Sequence, residues 1–216
     1  MYQNVIFDLD GTLLNTLEDL KDSTNYALAQ HGYPTRTLEE VRCFVGNGIR
    51  KLIDRAVPEG TSVEKTDKVF ATFREYYATH SRVKTSMYEG MEQVMDALKE
   101  QNISMAIVSN KADDAVKDLA KYYFAKYIDV AIGEREGISR KPAPDSVYEA
   151  MRLLGATKEN TVYVGDSVVD RATAKNAGIP CISVTWGFRS EELLVSLEPE
   201  YLIHKPEEIL SVVTGK

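Results

Sequence analysis

Val5-Ile6-Phe7-Asp8-Leu9-Asp10-Gly11-Thr12 sets three apolar residues directly against two acids and a glycine. An apolar run stopped so sharply is the pattern of a buried strand that empties into a loop. The pattern recurs down the chain. Ile103 to Val108 runs into Ser109 and Asn110, Ile128 to Ile132 is closed by Gly133, Thr161 to Val164 stops at Gly165 and Asp166, and Cys181 to Val184 is the fifth run. These segments are rich in β-branched residues and nearly continuous, which suits strands covered on both faces. Between them lie helical stripes. Met91, Val94, Met95 and Leu98 fall at i, i+3, i+4 and i+7, as do Val147, Ala150, Met151 and Leu154. Strands alternating with amphipathic helices predict βαβ units and a Rossmann-like parallel sheet, an α/β fold.

The first two strands break the rhythm, because roughly ninety residues separate them, far more than one crossover helix needs. Leu17, Leu20, Ala27 and Leu28 form one helical face in that interval, and Ile49, Leu52, Ile53, Ala56 and Val57 a second. Val69, Phe73, Tyr76, Tyr77 and His80 form a third. Residues 15–86 are therefore read as an inserted all-helical cap domain, and residues 1–14 with 87–216 as the α/β core. Ligands of open parallel sheets bind beyond the carboxyl ends of the strands. Asp8 and Asp10, Ser109 and Asn110, and Asp166 each follow such an end, so one rim collects them. An insert that leaves the chain just after the first strand is placed to cover that rim as a lid.

Bulk properties narrow the partners. The chain has 216 residues, with 26 Lys and Arg against 33 Asp and Glu, for a net charge of −7. That balance gives no general affinity for nucleic acid or an anionic membrane. No segment approaches the ~20 apolar residues of a membrane span. Met1-Tyr2-Gln3-Asn4 lacks the basic stretch of a signal peptide. A cytoplasmic location is expected, as a monomer or homodimer. Cys43 and Cys181 are too far apart in sequence to suggest a metal motif and are read as buried free thiols.

Residues two apart on an extended segment point the same way, so Asp8 and Asp10 share one small volume. Like charges that close call for a cation, and magnesium prefers carboxylate oxygen. Asp166 offers another ligand, and Asp170, one helical turn on, either binds the metal or orients a metal-bound water. Ser109 supplies a hydroxyl and Asn110 an amide for phosphate. Lys141, before Pro142, supplies a compensating positive charge.

Taken together, Phe7-Asp8-Leu9-Asp10-Gly11-Thr12, Val108-Ser109-Asn110, Lys141-Pro142 and Gly165-Asp166-Ser167-Val168-Val169-Asp170 resemble the four motifs of the haloacid dehalogenase (HAD) superfamily. The motifs span most of the chain, and the family's helical cap lies between the first two. The resemblance implies a magnesium-dependent phosphatase acting on a small phosphorylated metabolite. It implies that Asp8 is the nucleophile, forming an aspartyl phosphate, and that Asp10 is first general acid and then general base. Asp8, the carbonyl of Asp10 and Asp166 would hold magnesium, with Asp170 in support. Ser109 would bind the phosphoryl group with Thr12 beside it and with backbone N–H help around Asn110, and Lys141 would hold Asp8 and the phosphoryl oxygens. Asp10 favours phosphate esters, because the dehalogenases and phosphonate-cleaving members lack an acid–base Asp there.

Val45-Gly46-Asn47-Gly48 with Arg50, and Tyr76-Tyr77 with His80, are similar to cap segments of phosphoglycolate phosphatases. Asn47 and Arg50 are candidate contacts for a substrate carboxylate, and 2-phosphoglycolate is the expected substrate. Pyrophosphatase, β-phosphoglucomutase-type transfer and a non-catalytic binding protein are the alternatives. One departure stands out, Asn15, where the family often carries Asp.

Overall fold

The computed structural model describes residues 1–215. Contacts divide the chain into two units, Met1–Leu14 with Met87–Lys216, and Asn15–Ser86. In the first unit a six-stranded sheet contains β1 (Asn4–Phe7), β4 (Ser104–Ala112), β5 (Val130–Glu134), β6 (Thr161–Gly165), β7 (Cys181–Val184) and β8 (Tyr201–Ile203). Two short strands, β2 (Leu14–Asn15) and β3 (Ser86–Met87), pair separately where the chain passes between the units. The sheet is parallel in every pairing, in the order β5-β4-β1-β6-β7-β8.

Alternation along the strands explains how the sheet is buried on both sides. Val5, Phe7, Met105, Ile107, Val162, Val164, Ile182 and Val184 join one core cluster. There they meet α5 (Met91–Glu100), α6 (Asp113–Tyr123) and α10 (Glu208–Thr214). Ile6, Ala106, Val108, Tyr163 and Cys181 face the other way, onto α7 (Asp145–Leu154) and α8 (Val168–Ala177). A short α9 (Glu191–Val195) precedes β8.

The chain builds outward from β1 in both directions, first through β4 to β5 and then through β6 to β8. β1 therefore marks the topological switch point, where open α/β sheets place their ligand crevice. Register sharpens this, since Phe7 lies opposite Ile107 on one side and Val164 on the other. The residues just beyond those positions reach the same edge. β4 does not end at Val108 as the sequence reading has it. It continues to Ala112 through a register shift, with Val108 opposite Ile132 and Ala112 opposite Glu134. Four steps on β4 thus match two on β5, the kind of bulge that re-aims side chains beside a site.

In the second unit α1 (Leu17–Gln30), α2 (Leu38–Phe44), α3 (Gly48–Ala56) and α4 (Val63–His80) pack consecutively and close with α1 against α4. Leu20, Ala27, Leu28, Leu52, Ile53, Ala56, Val69, Phe73 and Tyr77 are buried there. Thr37 and Glu40 form a capping box that starts α2. Asp19 is buried and accepts from the backbone N–H groups of Lys84 and Thr85 and from the Thr85 hydroxyl. It thereby ties the first helix to the returning chain. His80 stacks on Tyr76, with ring centroids 3.7 Å apart. Cys181 is buried, but Cys43 is exposed, contrary to the expectation of two buried thiols. It sits on the outer face of α2, where only Val41 turns inward. Among the described residues no helix is long and apolar enough to cross a membrane.

Candidate active site

The segment after β1 turns at once. The carbonyl of Leu9 accepts the N–H groups of Thr12, Leu13 and Leu14, and Gly11 N–H returns to Leu14 O. Gly11 adopts φ 87°. A side chain at that position would lie 2.5 Å from Asp166 Oδ2. Glycine is therefore needed here twice, for the backbone and for the space. Gly187 serves the same carboxylate from the far side, since a Cβ there would collide with Asp166, and Phe188 N–H donates to Asp166 Oδ2 at 2.7 Å. Trp186 holds the loop down by donating its indole N–H to Thr12 O at 3.1 Å.

Asp8, Asp166 and Asp170 are all buried, each with an oxygen within 4.8 Å of the others. Lys141 lies beneath them. Its ammonium donates to Asp8 Oδ1 at 2.8 Å, Asp170 Oδ1 at 2.7 Å and the Tyr163 hydroxyl at 2.9 Å. Three donors thus meet three acceptors, so the buried ammonium is fully satisfied. Burial alone would lower its pKa, yet the Asp170 and Asp8 charges hold it well above the ordinary lysine range. Burial and then the Asp170 charge push Asp8 up to about 7, against the pull of Lys141. Burial, Asp170 and Asp8 push Asp166 up to about 8.

Asp10 sits at the same edge, with its side chain 18% exposed. Lys111 meets it, the ammonium donating to Oδ1 at 2.9 Å and Oδ2 at 3.2 Å. Ser109 is buried, and its hydroxyl accepts the Lys111 N–H at 3.2 Å. Thr12 is buried with its hydroxyl unpartnered.

The side-chain amide of Asn110 requires a correction as a phosphate donor. It is paired in both directions with the backbone of Lys141, donating to the carbonyl at 3.0 Å and accepting the N–H at 2.8 Å. It fixes the lysine loop instead. Asp170 likewise has both oxygens engaged. Oδ1 accepts from Lys141 and Tyr163, and Oδ2 accepts from the Ser167 N–H and hydroxyl in the capping box of α8.

In the helical unit, Asn47 is exposed and left-handed at φ 61°, between Gly46 at φ 117° and Gly48 at φ 82°. Arg55 steadies this loop through Phe44 O and Gly46 O. Arg50 is paired with Asp54 at 2.7 Å and Asp67 at 2.5 Å. Asn15 Oδ1 accepts the N–H of Leu17 at 3.4 Å, at the start of α1.

The sequence reading missed Lys111, Tyr163, Gly187 and Phe188. A lysine after a strand reads as surface, and a tyrosine inside an apolar run reads as core. Only its hydroxyl, reaching Lys141, gives Tyr163 a place in the site.

The donor set suits a divalent metal. Four carboxylates (Asp8, Asp10, Asp166 and Asp170) gather around two ammonium groups, Lys111 and Lys141. When all are ionised, two negative charges remain, which one divalent cation offsets. Like-charged carboxylates this close require such compensation.

Residues 5–184 match the haloacid dehalogenase-like hydrolase family. Phosphoglycolate phosphatase 1 of Pseudomonas aeruginosa is 32% identical over 212 residues, covering 95% of this chain and 78% of that protein. Pyrophosphatase PpaX of Halalkalibacterium halodurans is 30% identical over 215 residues, covering 98% of this chain and 97% of that protein. The crystal structure of a Lactobacillus delbrueckii subsp. bulgaricus protein, provisionally described as a phosphoglycolate phosphatase, superposes with a TM-score of 0.94 at 33% identity. The match covers 100% of this chain and 99% of that one.

Proposed function

Because the chain belongs to the haloacid dehalogenase-like hydrolases and is a phosphatase acting on phosphomonoesters, we propose that it hydrolyses 2-phosphoglycolate, with magnesium, through a phosphoryl group carried on Asp8. The observation that carries this reading is the placement of buried Asp8 on Lys141, beside Asp166 and Asp170 at the switch point of the sheet.

In the first step an Asp8 oxygen attacks phosphorus and the bond from phosphorus to the leaving oxygen breaks. Asp10 gives its proton to that oxygen, and glycolate departs. In the second step Asp10 takes a proton from water, the water oxygen attacks phosphorus, and the bond to Asp8 breaks to release phosphate. Two displacements on a covalent carboxylate replace one difficult step with two easier ones. Lys141 orients Asp8 and offsets charge on the phosphoryl oxygens. The Ser109 and Thr12 hydroxyls are the donors for those oxygens, and the unpartnered Thr12 hydroxyl supports that role. Asp8, the Asp10 carbonyl and Asp166 would hold magnesium, with Asp170 behind them. Bound there, the ion supplies the charge neutralisation on which phosphoryl transfer chiefly depends.

Pyrophosphate is the second reading, favoured by the near end-to-end match to a pyrophosphatase. Phosphate release from 2-phosphoglycolate, pyrophosphate, hexose phosphates and nucleotides separates the two. The expected result is a preference for 2-phosphoglycolate of about 10²-fold or more in kcat/KM, lost in chelator and restored by magnesium. A preference for pyrophosphate selects the second reading. Full activity in chelator removes the metal, and hexose phosphate isomerisation without net phosphate release removes the hydrolase assignment.

A further inference from the structure

Lys111 is a buried cation that the mechanism above leaves without a task. Its side chain is 2% exposed, and its ammonium spans both oxygens of Asp10, a residue 101 positions earlier in the chain. The bulge in β4 delivers it. Between Val108 and Ala112 the strand carries extra residues against β5, and Ser109, Asn110 and Lys111 occupy that stretch. The lysine backbone is fixed there, with its N–H on Ser109 Oγ. On the neighbouring strand Gly133 leaves no room, since a Cβ there would lie 2.6 Å from Lys111 O.

Burying an ammonium is costly, and a buried ion pair is a weak source of stability compared with apolar packing. A second lysine, Lys141, already compensates Asp8 and Asp170. Lys111 therefore adds what Lys141 does not, a two-point hold on the one carboxylate of the group that has 18% of its side chain exposed.

Resting on the reading of Asp10 as acid and base, we propose that Lys111 is a positioning residue for proton delivery. It fixes the plane and direction of the Asp10 carboxylate, so that the proton reaches the leaving oxygen. It acts through Asp10 and touches neither phosphorus nor the leaving group. Its importance consequently depends on how much the leaving oxygen needs a proton. An alkoxide leaves poorly without one, whereas 4-nitrophenolate leaves as the anion.

The test compares 2-phosphoglycolate with 4-nitrophenyl phosphate in wild type, Lys111→Met, Asp10→Asn and the double variant. Lys111→Met is expected to lose about 10²-fold in kcat/KM, which reports the transfer onto Asp8 and not the later hydrolysis, on the alkyl ester and less than about 5-fold on the aryl ester, since a positioned acid contributes in that range. In the Asp10→Asn background the lysine substitution adds no further loss on the alkyl ester, the non-additivity of residues that act as one unit. Lys111→Arg, which keeps the cation, is expected to restore most of the ratio between the two esters. Circular dichroism and thermal melting confirm folding. If Lys111→Met does not fold, Lys111→Gln takes its place. Equal losses in kcat/KM on both esters, or additive losses in the double variant, overturn the proposal while leaving the phosphatase reading intact. Asp10→Asn with full activity on the alkyl ester, or a wild type that releases no phosphate from either, overturns the reading and the proposal with it.

Discussion

Asp8→Asn is expected to lower kcat by on the order of 10⁵-fold while the protein stays folded. The amide oxygen still accepts from Lys141 at the position where Asp8 Oδ1 lies 2.8 Å away. What the variant loses is a nucleophile able to form an acyl phosphate. Crowding among Asp8, Asp166 and Asp170 is relieved, because one of the three charges is gone. Without magnesium the variant should therefore melt at or above the wild-type temperature. Kinetics on the preferred ester and a thermal melt together check this. Turnover within about 10-fold of wild type would remove Asp8 from the chemistry. A large drop in melting temperature would make the loss of activity a folding effect.

Lys141→Met is the second large effect, and it falls on stability as well as rate. The ammonium is the shared partner of Asp8, Asp170 and the Tyr163 hydroxyl. Removing one member of a buried ionic network leaves the others desolvated without compensation, at a cost of about 3–5 kcal/mol. For a chain of this size that corresponds to a fall of about 10 °C in melting temperature. The rate should fall by about 10³-fold or more, since Asp8 loses its orientation and the phosphoryl oxygens lose a cation. Adding Asp170→Asn should recover part of the stability and none of the rate. Recovery of both would mean that Lys141 acts only as a structural counter-ion. A melting temperature unchanged by Lys141→Met would contradict the buried geometry itself.

Legibility in the sequence followed physical range. The strands β1, β6 and β7 are continuous apolar runs ended by Asp, Gly or a turn, and such a signal lies within a few residues. The helices with four apolar positions on one face, such as Met91–Glu100, were equally plain. β8 was not, because three residues with only Ile203 buried carry almost no pattern. The end of β4 was misjudged because Ser109 and Asn110 resemble a loop, while a bulge carries the pairing on to Ala112. Asp8, Ser109, Lys141 and Asp166 were legible as candidates because each follows a strand or belongs to a recurrent motif. Their partners were not, since hydrogen bonds such as Lys111 to Asp10 and Tyr163 to Lys141 join distant segments. The side-chain amide of Asn110 reads as a phosphate donor for the same reason. Nothing in its neighbourhood in the sequence tells that the backbone of Lys141 takes both ends of its amide.

In the proposed reaction the phosphoryl group passes through Asp8 on its way to water. The stereochemical course at phosphorus, followed with a phosphorothioate substrate made chiral by oxygen isotopes and hydrolysed in water carrying the third isotope, tests this whether or not the intermediate accumulates. Two in-line displacements, onto Asp8 and then onto water, predict net retention of configuration. Net inversion would mean a single direct attack by water and would contradict passage through Asp8.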